Sequence, residues 1–293
     1  MNRRVTAGLF MGIVSLLVAA VSPETTPLDR YVVVTSDTHL STPEGRFRDQ
    51  APKVERFLNA LELSPTPPDA VFIVGDIVDN TVKRDGHLQP GNRMHFQAEA
   101  DLYARIKQQH PRIAVMQSLG PGHDFGGPIS LADAESALGP KAGVWRWEGI
   151  TFIWLTIPRS AFAPSISYEN SLSTAEYQWL DDRLAEAQRS ILLFHVPLRN
   201  DATFTLGKWP GGLNLTIDSR DRIGEVIRRH KTTIAAIFCG HIHQRLATEW
   251  NSIPLYLAPF ITGDFATVHW RPVDGSVEVR LHRLEPDGRL KPD

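Results

Sequence analysis

The sequence predicts an α/β fold, and three observations carry that prediction. Short β-branched apolar runs recur along the chain. Amphipathic helical patterns lie between several of them. Acidic and histidine residues fall just past the carboxyl ends of the runs, the edge at which open α/β sheets hold ligands.

The elements follow in order. Tyr31-Val32-Val33-Val34-Thr35 reads as a buried strand that delivers Asp37 at its end. Val54, Phe57, Leu58 and Leu61 recur at helical spacing over residues 53–63, and Pro65, Pro67 and Pro68 stop that helix. Ala70 to Val74 is a second buried strand, ending at Gly75-Asp76. Residues 94–109 suit a helix with Tyr103 and Ile106 inward. Ile113 to Met116 is a third strand, leading into a glycine-rich turn at 120–127. This alternation predicts parallel βαβ units.

The second half repeats the habit. Trp145-Arg146-Trp147 and Thr151 to Leu155 read as a hairpin around Glu148-Gly149. Ser173 and Glu176 form a capping box, and Tyr177, Leu180 and Leu184 give the helix its apolar stripe. Ile191 to Phe194 delivers His195. Residues 197–217, with Gly207, Pro210, Gly211 and Gly212, read as a long loop. A short helix over 219–230 precedes the strand Ile234 to Phe238, which delivers His241. Thr267 to Trp270 and Val277 to Leu281 flank Asp274-Gly275 as an antiparallel hairpin.

At 293 residues the chain is long enough for one large core, and one domain over 31–293 is the expectation. Hydrophobic content of 42% and charged content of 22% are ordinary for a globular protein. A net charge of −2 gives no reason to expect a nucleic-acid duplex as partner. Arg3 and Arg4 precede an apolar run from Val5 to Val21, and Val18-Ala19-Ala20 supplies small residues for cleavage. Residues 1–21 therefore read as a secretory signal, with an uncleaved membrane anchor as the alternative. The expected location is periplasmic or secreted, with membrane contact only if the segment is kept. Residues 22–30 read as a polar tether. The single cysteine, Cys239, excludes an intramolecular disulfide and reads as a buried small hydrophobe.

Chemistry concentrates in a few motifs. Asp37-x-His39 offers a carboxylate and an imidazole to one metal. Gly75-Asp76 puts a carboxylate at a strand end. Gly240-His241-x-His243 offers two imidazoles, and His195 adds another. Asp and His together suit zinc, manganese or iron rather than calcium.

With these residues the chain resembles the calcineurin-like metallophosphoesterases, whose ordered pattern is D-x-H, G-D, G-N-H-D/E, H and G-H-x-H. Here it reads Asp37-Thr38-His39, Gly75-Asp76, Gly122-His123-Asp124, His195 and Gly240-His241-Ile242-His243. The resemblance runs from about Tyr31 to Leu281. It implies a four-layer αββα sandwich of two mixed β-sheets flanked by helices. It also implies a hydrolase of small phosphomonoesters or phosphodiesters with two divalent or trivalent transition-metal ions (Mn, Fe or Zn). One metal would be held by Asp37, His39 and His243, the other by His195 and His241, with Asp76 bridging. A metal-bound hydroxide would attack phosphorus in line. His123 would assist the leaving oxygen, and Asp79 would orient His123.

One departure stands out. The family's asparagine before the histidine is missing, either replaced by Gly122 or deleted from a Pro-Gly-Asn-His string, and glycine has no side chain to donate. Asn80, Gln117, Asn200 and Asn214 are the candidate substitutes. The alternative is a single-metal or non-catalytic relative that keeps the fold. His87, His95, His110, His230, His269 and His282 lie outside the pattern and read as surface or hydrogen-bonded histidines. Trp145, Trp147, Trp154 and Trp179 read as packing, whereas Trp209, on the glycine-rich loop, could cover substrate. Arg199 and Lys208 read as solvated loop charge, with phosphate contact as the alternative. Substrate choice should lie in the loops at 83–95, 125–143 and 159–172.

Overall fold

Strands that are apolar at every position need cover on both faces, and in this chain two sheets and two helical layers supply it. The computed structural model describes residues 30–285 apart from 44, 85–86, 159–170, 209–214, 219–220 and 272–273. The signal segment, the tether up to residue 29, residues 159–170 of the third expected substrate loop, Trp209 and Asn214 lie outside the described residues.

Along the chain the elements are β1 (Tyr31–Thr35), α1 (Gln50–Glu62), β2 (Ala70–Val74), β3 (Thr81–Arg84), β4 (His87–Pro90), α2 (Arg93–Gln109) and β5 (Ala114–Ser118). Next come α3 (Leu131–Leu138), β6 (Ala142–Trp147), β7 (Ile150–Leu155), α4 (Thr174–Glu186), β8 (Ser190–Leu193), α5 (Asp201–Leu206) and α6 (Arg222–Arg229). The last are β9 (Ile234–Cys239), β10 (Leu246–Trp250), β11 (Ile253–Leu257), β12 (Asp264–Arg271) and β13 (Ser276–Arg283).

The first sheet has the order β13-β12-β1-β2-β5 and the second β10-β11-β9-β8-β7-β6. In the first, β1, β2 and β5 run parallel, and β12 lies antiparallel to β1 with Val32 opposite Val268. In the second, β7, β8, β9 and β11 run parallel, with β6 and β10 as antiparallel edges. Both sheets are mixed, as the resemblance implies.

Alternation along each strand divides its side chains between two cores. Val32 and Val34 of β1 face the second sheet, with Ala70, Phe72 and Val74 of β2. Val33, Val71 and Ile73 face the other way, onto Val54, Phe57 and Leu58 of α1 and Phe96, Tyr103 and Ile106 of α2. In the second sheet Ile191, Leu193, Ala236 and Phe238 meet the first sheet. Leu192, Ile237 and Cys239 face Leu180 and Leu184 of α4 and Val226 and Ile227 of α6. Cys239 is 2% exposed, as a buried small hydrophobe should be.

Several local expectations are corrected. The segment 197–217 is not all loop. It contains α5, whose Asn200 side chain caps Thr203 N–H while Thr203 returns the bond. The segment 83–95 is crossed by β4 and the start of α2, and 125–143 holds α3, started by the Ser130–Asp133 capping box. The helices are six and eight residues long, too short for a full apolar stripe to show in sequence.

Phe72 is fully buried and stacks on Phe152 across the sheets with ring centroids 5.0 Å apart. Phe72→Ala should therefore lower stability by about 3–5 kcal/mol, seen as a lower urea midpoint at unchanged slope. A loss below about 1 kcal/mol would show that the sheets do not depend on this stack.

Candidate metal centre

The parallel strands of both sheets end on one edge, and the loops there are tied by backbone bonds. Gly240 N–H donates to His195 O at 2.9 Å, Asp37 N–H to Gly75 O at 3.0 Å, and His39 N–H to Asp76 O at 2.9 Å. Asp37, His39, Asp76, Asn80, His241 and His243 all adopt positive φ at this edge. The other described non-glycine residues at positive φ, Glu148, Asn251 and Ser252, lie in hairpin turns. Left-handed backbone costs energy in a non-glycine residue and persists where its surroundings hold it, commonly at functional sites.

Three groupings of donors result among the described residues; one is His39, Asp79 and His123, and the other two share a carboxylate. Asp37, His39, Asp76 and His243 place one ligand atom each within 4.8 Å of one another, and so do Asp76, His195 and His241. Asp76 belongs to both. His243 Nε2 lies 3.2 Å from Asp37 Oδ1, and His195 Nε2 lies 3.1 Å from Asp76 Oδ2. The Nε2 atoms of His39 and His243 face each other at 2.9 Å.

The chemistry of these atoms fits metal ions. His195 donates Nδ1–H to the Val74 carbonyl at 2.8 Å, which leaves Nε2 as the inward nitrogen. That Nε2, and Asp76 Oδ1, are buried without a hydrogen-bond partner. A bare lone pair facing a carboxylate is repulsive unless positive charge sits between them.

The titration of the metal-free chain expresses the same demand. Burial opposes charge on His195, but Asp76 and Asp37 overcome it and lift the imidazole to about 9. Burial also works to raise the Asp37 carboxyl, yet His243 and His195 hold it at about 2. Burial pushes His39 and His241 down to about 3, so their lone pairs are open to a metal.

Glycine is required where loops touch. A Cβ on Gly75 would lie 2.5 Å from the His195 ring. One on Gly120 would lie 2.2 Å from Asp76 Oδ1, and one on Gly240 2.6 Å from Asp37 Oδ2.

His123 stands beside the donors, its ring centroid 4.6 Å from that of His39. Its Nδ1–H donates to Asp79 O at 2.6 Å, and Asp79 Oδ1 lies 3.4 Å from the same nitrogen. Burial opposes charge on His123, but Asp76 and Asp79 outweigh it and raise the imidazole to about 10.

Two acids were missed as contributors. Asp124, quoted within its motif but given no role, accepts from the backbone N–H groups of Gly120, Ile77 and Val78 at 2.7, 2.8 and 3.0 Å. It ties the His123 loop to the Asp76 loop. Glu99 of α2 accepts from Asn80 N–H at 2.7 Å and is fully buried. Its sequence signal was legible, because a carboxylate falls on the inner stripe of Phe96, Ala100, Tyr103 and Ile106.

Two of the candidates for the missing asparagine are otherwise engaged. Gln117 Oε1 accepts from Tyr103 and Lys107, and Asn200 caps α5. The Asn80 side-chain oxygen is buried without a hydrogen-bond partner, packed so close to Gly91 that a Cβ there would lie 2.5 Å from it. Arg199 is held by Thr216 and Asp218, and Arg199 and Lys208 both lie over the Phe204 ring. Of the histidines outside the pattern, His110 pairs with Glu62 and His230 with Asp181, while His269 and His282 meet Thr267. His95 faces Glu99.

The glycine contacts generate a test. Gly240→Ala should push Asp37 and His195 apart, and metal retained after dialysis should fall about tenfold or more, with the circular dichroism spectrum unchanged. Full retention of metal would show that the close approach is not needed.

Comparison with known proteins adds three likenesses. The 3',5'-cyclic adenosine monophosphate phosphodiesterase CpdA of Escherichia coli is 29% identical over 195 residues, 59% of this chain and 65% of the relative. The match therefore spans just under two thirds of that protein's length. A dimetal phosphatase from Danio rerio shares the fold with a TM-score of 0.58 at 15% identity, covering 82% of this chain and 92% of that one. GAP50, the anchor in the inner membrane complex of Plasmodium, aligns with a TM-score of 0.53 at 8% identity, covering 87% and 85%. At such identities these two structures speak for the fold alone. The calcineurin-like phosphoesterase family pattern matches residues 31–245, and the chain belongs to that family.

Proposed function

We propose that this chain is a metal-dependent hydrolase of phosphomonoesters or phosphodiesters. The observation that carries the proposal is the pair of donor groupings sharing Asp76, with His123 held beside them. Asp37, His39, Asp76 and His243 would hold one transition-metal ion (Mn, Fe or Zn), and Asp76, His195 and His241 the other. Bound there, the ions would supply Lewis-acid stabilisation of the phosphoryl oxygens and lower the pKa of water.

The chain's own residues do the rest. The left-handed turns fix the donors before any substrate arrives. His123 has Nδ1–H committed to Asp79 O, so its Nε2 side is available to give a proton to the leaving oxygen. Likeness to the E. coli cyclic nucleotide phosphodiesterase supports a phosphodiester as the first substrate class to try. The apolar run at residues 5–21 supports export of the domain.

A second reading has its own support. Gly122 supplies no side-chain donor to the second grouping. On that reading the second grouping binds metal weakly and the chain keeps the fold with little or no turnover.

Metal content and hydrolysis of p-nitrophenyl phosphate and bis-p-nitrophenyl phosphate separate the two. The wild-type chain should hold two metals and turn over. Asp76→Asn should lose metal from both groupings, and kcat/KM should fall by about two orders of magnitude or more. Gly122→Asn should tighten the weaker metal by about tenfold without being required for turnover. Turnover that appears only in Gly122→Asn would sink the first reading in favour of the second.

A further inference from the structure

Glu99 has no place in the metal groupings, yet it is a carboxyl group at 0% exposure on the inner face of α2. Burying a carboxyl is costly unless its oxygens are well satisfied. Among the described residues no lysine or arginine pairs with it. The groups that meet it are the Asn80 N–H at 2.7 Å, His95 Nε2 at 3.1 Å, the Ser41 hydroxyl and the Thr42 backbone N–H, with Asp79 as a nearby like charge. The loops that meet it follow His39 and Asp79.

The Asn80 N–H is the decisive contact, because of what lies at the other end of its peptide group. That carbonyl, Asp79 O, accepts His123 Nδ1–H at 2.6 Å. A trans peptide is planar and points its N–H and C=O in opposite directions. Glu99 and His123 therefore grip one rigid unit from its two ends. Asn80 sits at φ 45, so this peptide stands in an orientation that needs holding. A hydrogen bond from N–H to a carboxyl oxygen also polarises the peptide and makes its carbonyl a stronger acceptor. Thr81 Oγ1, at 2.5 Å from Asp79 Oδ2, steadies the Asp79 side chain in the same turn.

We infer that Glu99 is a positioning residue for leaving-group protonation, acting through the Asp79–Asn80 peptide to hold the ring of His123. The inference rests on the hydrolase reading for its kinetic consequence, though not for its structural one. Without Glu99 the peptide keeps only its flanking bonds, Asp79 N–H to Leu40 O and Gly91 N–H to Asn80 O, and the carbonyl that fixes His123 Nδ1–H and aims Nε2 is less firmly held.

The test compares Glu99→Gln, which keeps an acceptor, with Glu99→Leu, which has none. Both are made in the wild-type and His123→Ala backgrounds. Alkyl leaving groups need a proton far more than p-nitrophenolate does. Glu99→Leu should lose about tenfold or more in kcat/KM on an alkyl ester and under about threefold on the p-nitrophenyl ester. Glu99→Gln should recover most of that loss, and in the His123→Ala background Glu99→Leu should cost the same on both esters.

A second readout needs no turnover. In the metal-free protein the His123 Nδ1–H resonance should be resolved in wild type and lost to solvent exchange in Glu99→Leu. Equal losses on both esters, or an Nδ1–H signal that survives in Glu99→Leu, would overturn the inference. Should wild type hydrolyse neither ester, the hydrolase reading fails and the imidazole signal alone decides whether Glu99 holds His123. Where Glu99→Leu does not fold, Glu99→Gln carries the test through a weakened alkyl-ester rate and faster Nδ1–H exchange, and no change in either counts against the inference.

Discussion

Close approach of backbone to side chain governs the metal edge. His195 packs on Gly75, Asp76 on Gly120 and Asp37 on Gly240, each so tightly that a single added carbon would fall within 2.6 Å of another atom. Donors from two separate sheets can converge within one small volume only if the loops between them are bare. The sheets deliver the loops to a common edge, the glycines let them touch, and the left-handed turns at Asp37, His39, Asp76, His241 and His243 aim the side chains inward. The hydrophobic layers behind this edge matter to it mainly as the mould that keeps the strand ends in register.

Much of this was legible because two periodicities coincide with two kinds of chemistry. The runs Val32–Val34, Ala70–Val74 and Ile191–Leu193 announce strands covered on both faces, and they are so covered. Asp37, Asp76, His195 and His241 announce a site because each directly follows such a run. The illegible parts lacked one signal or the other. β3 and β4 form a hairpin outside both large sheets. α5 is a short helix of under two turns, capped by Asn200. β10 alternates weakly as Leu246, Thr248 and Trp250 before an Asn251-Ser252 turn, a pattern that could have been read but is easily lost among polar residues. The division into four layers could not come from periodicity at all. Alternation shows that a strand has two covered faces, not whether sheet or helix covers each.

The departure at Gly122 has a physical setting. Asp124, beside it in sequence, gathers three backbone N–H groups and burial raises its carboxyl to about 7, with Asp76 pushing the same way. The loop is thus pinned by His123 and Asp124, the two residues that follow the bare position 122. Its shape does not depend on a side chain there. A ligand can be lost from such a loop without the loop being lost, and so a sequence change at the chemical centre leaves the fold undisturbed.

The pairing of β1 with β12 has a consequence for how the chain is made. Val32, near the start, finds its partner in Val268, near the end, and β1 lies in the interior of its sheet between β12 and β2. During synthesis β1 must wait, one flank open, until the segment around Val268 has emerged. Contacts of such long sequence separation are slow to close. This protein therefore completes its first sheet late, and the interval before completion is when its valine-rich opening strand is most exposed to wrong partners.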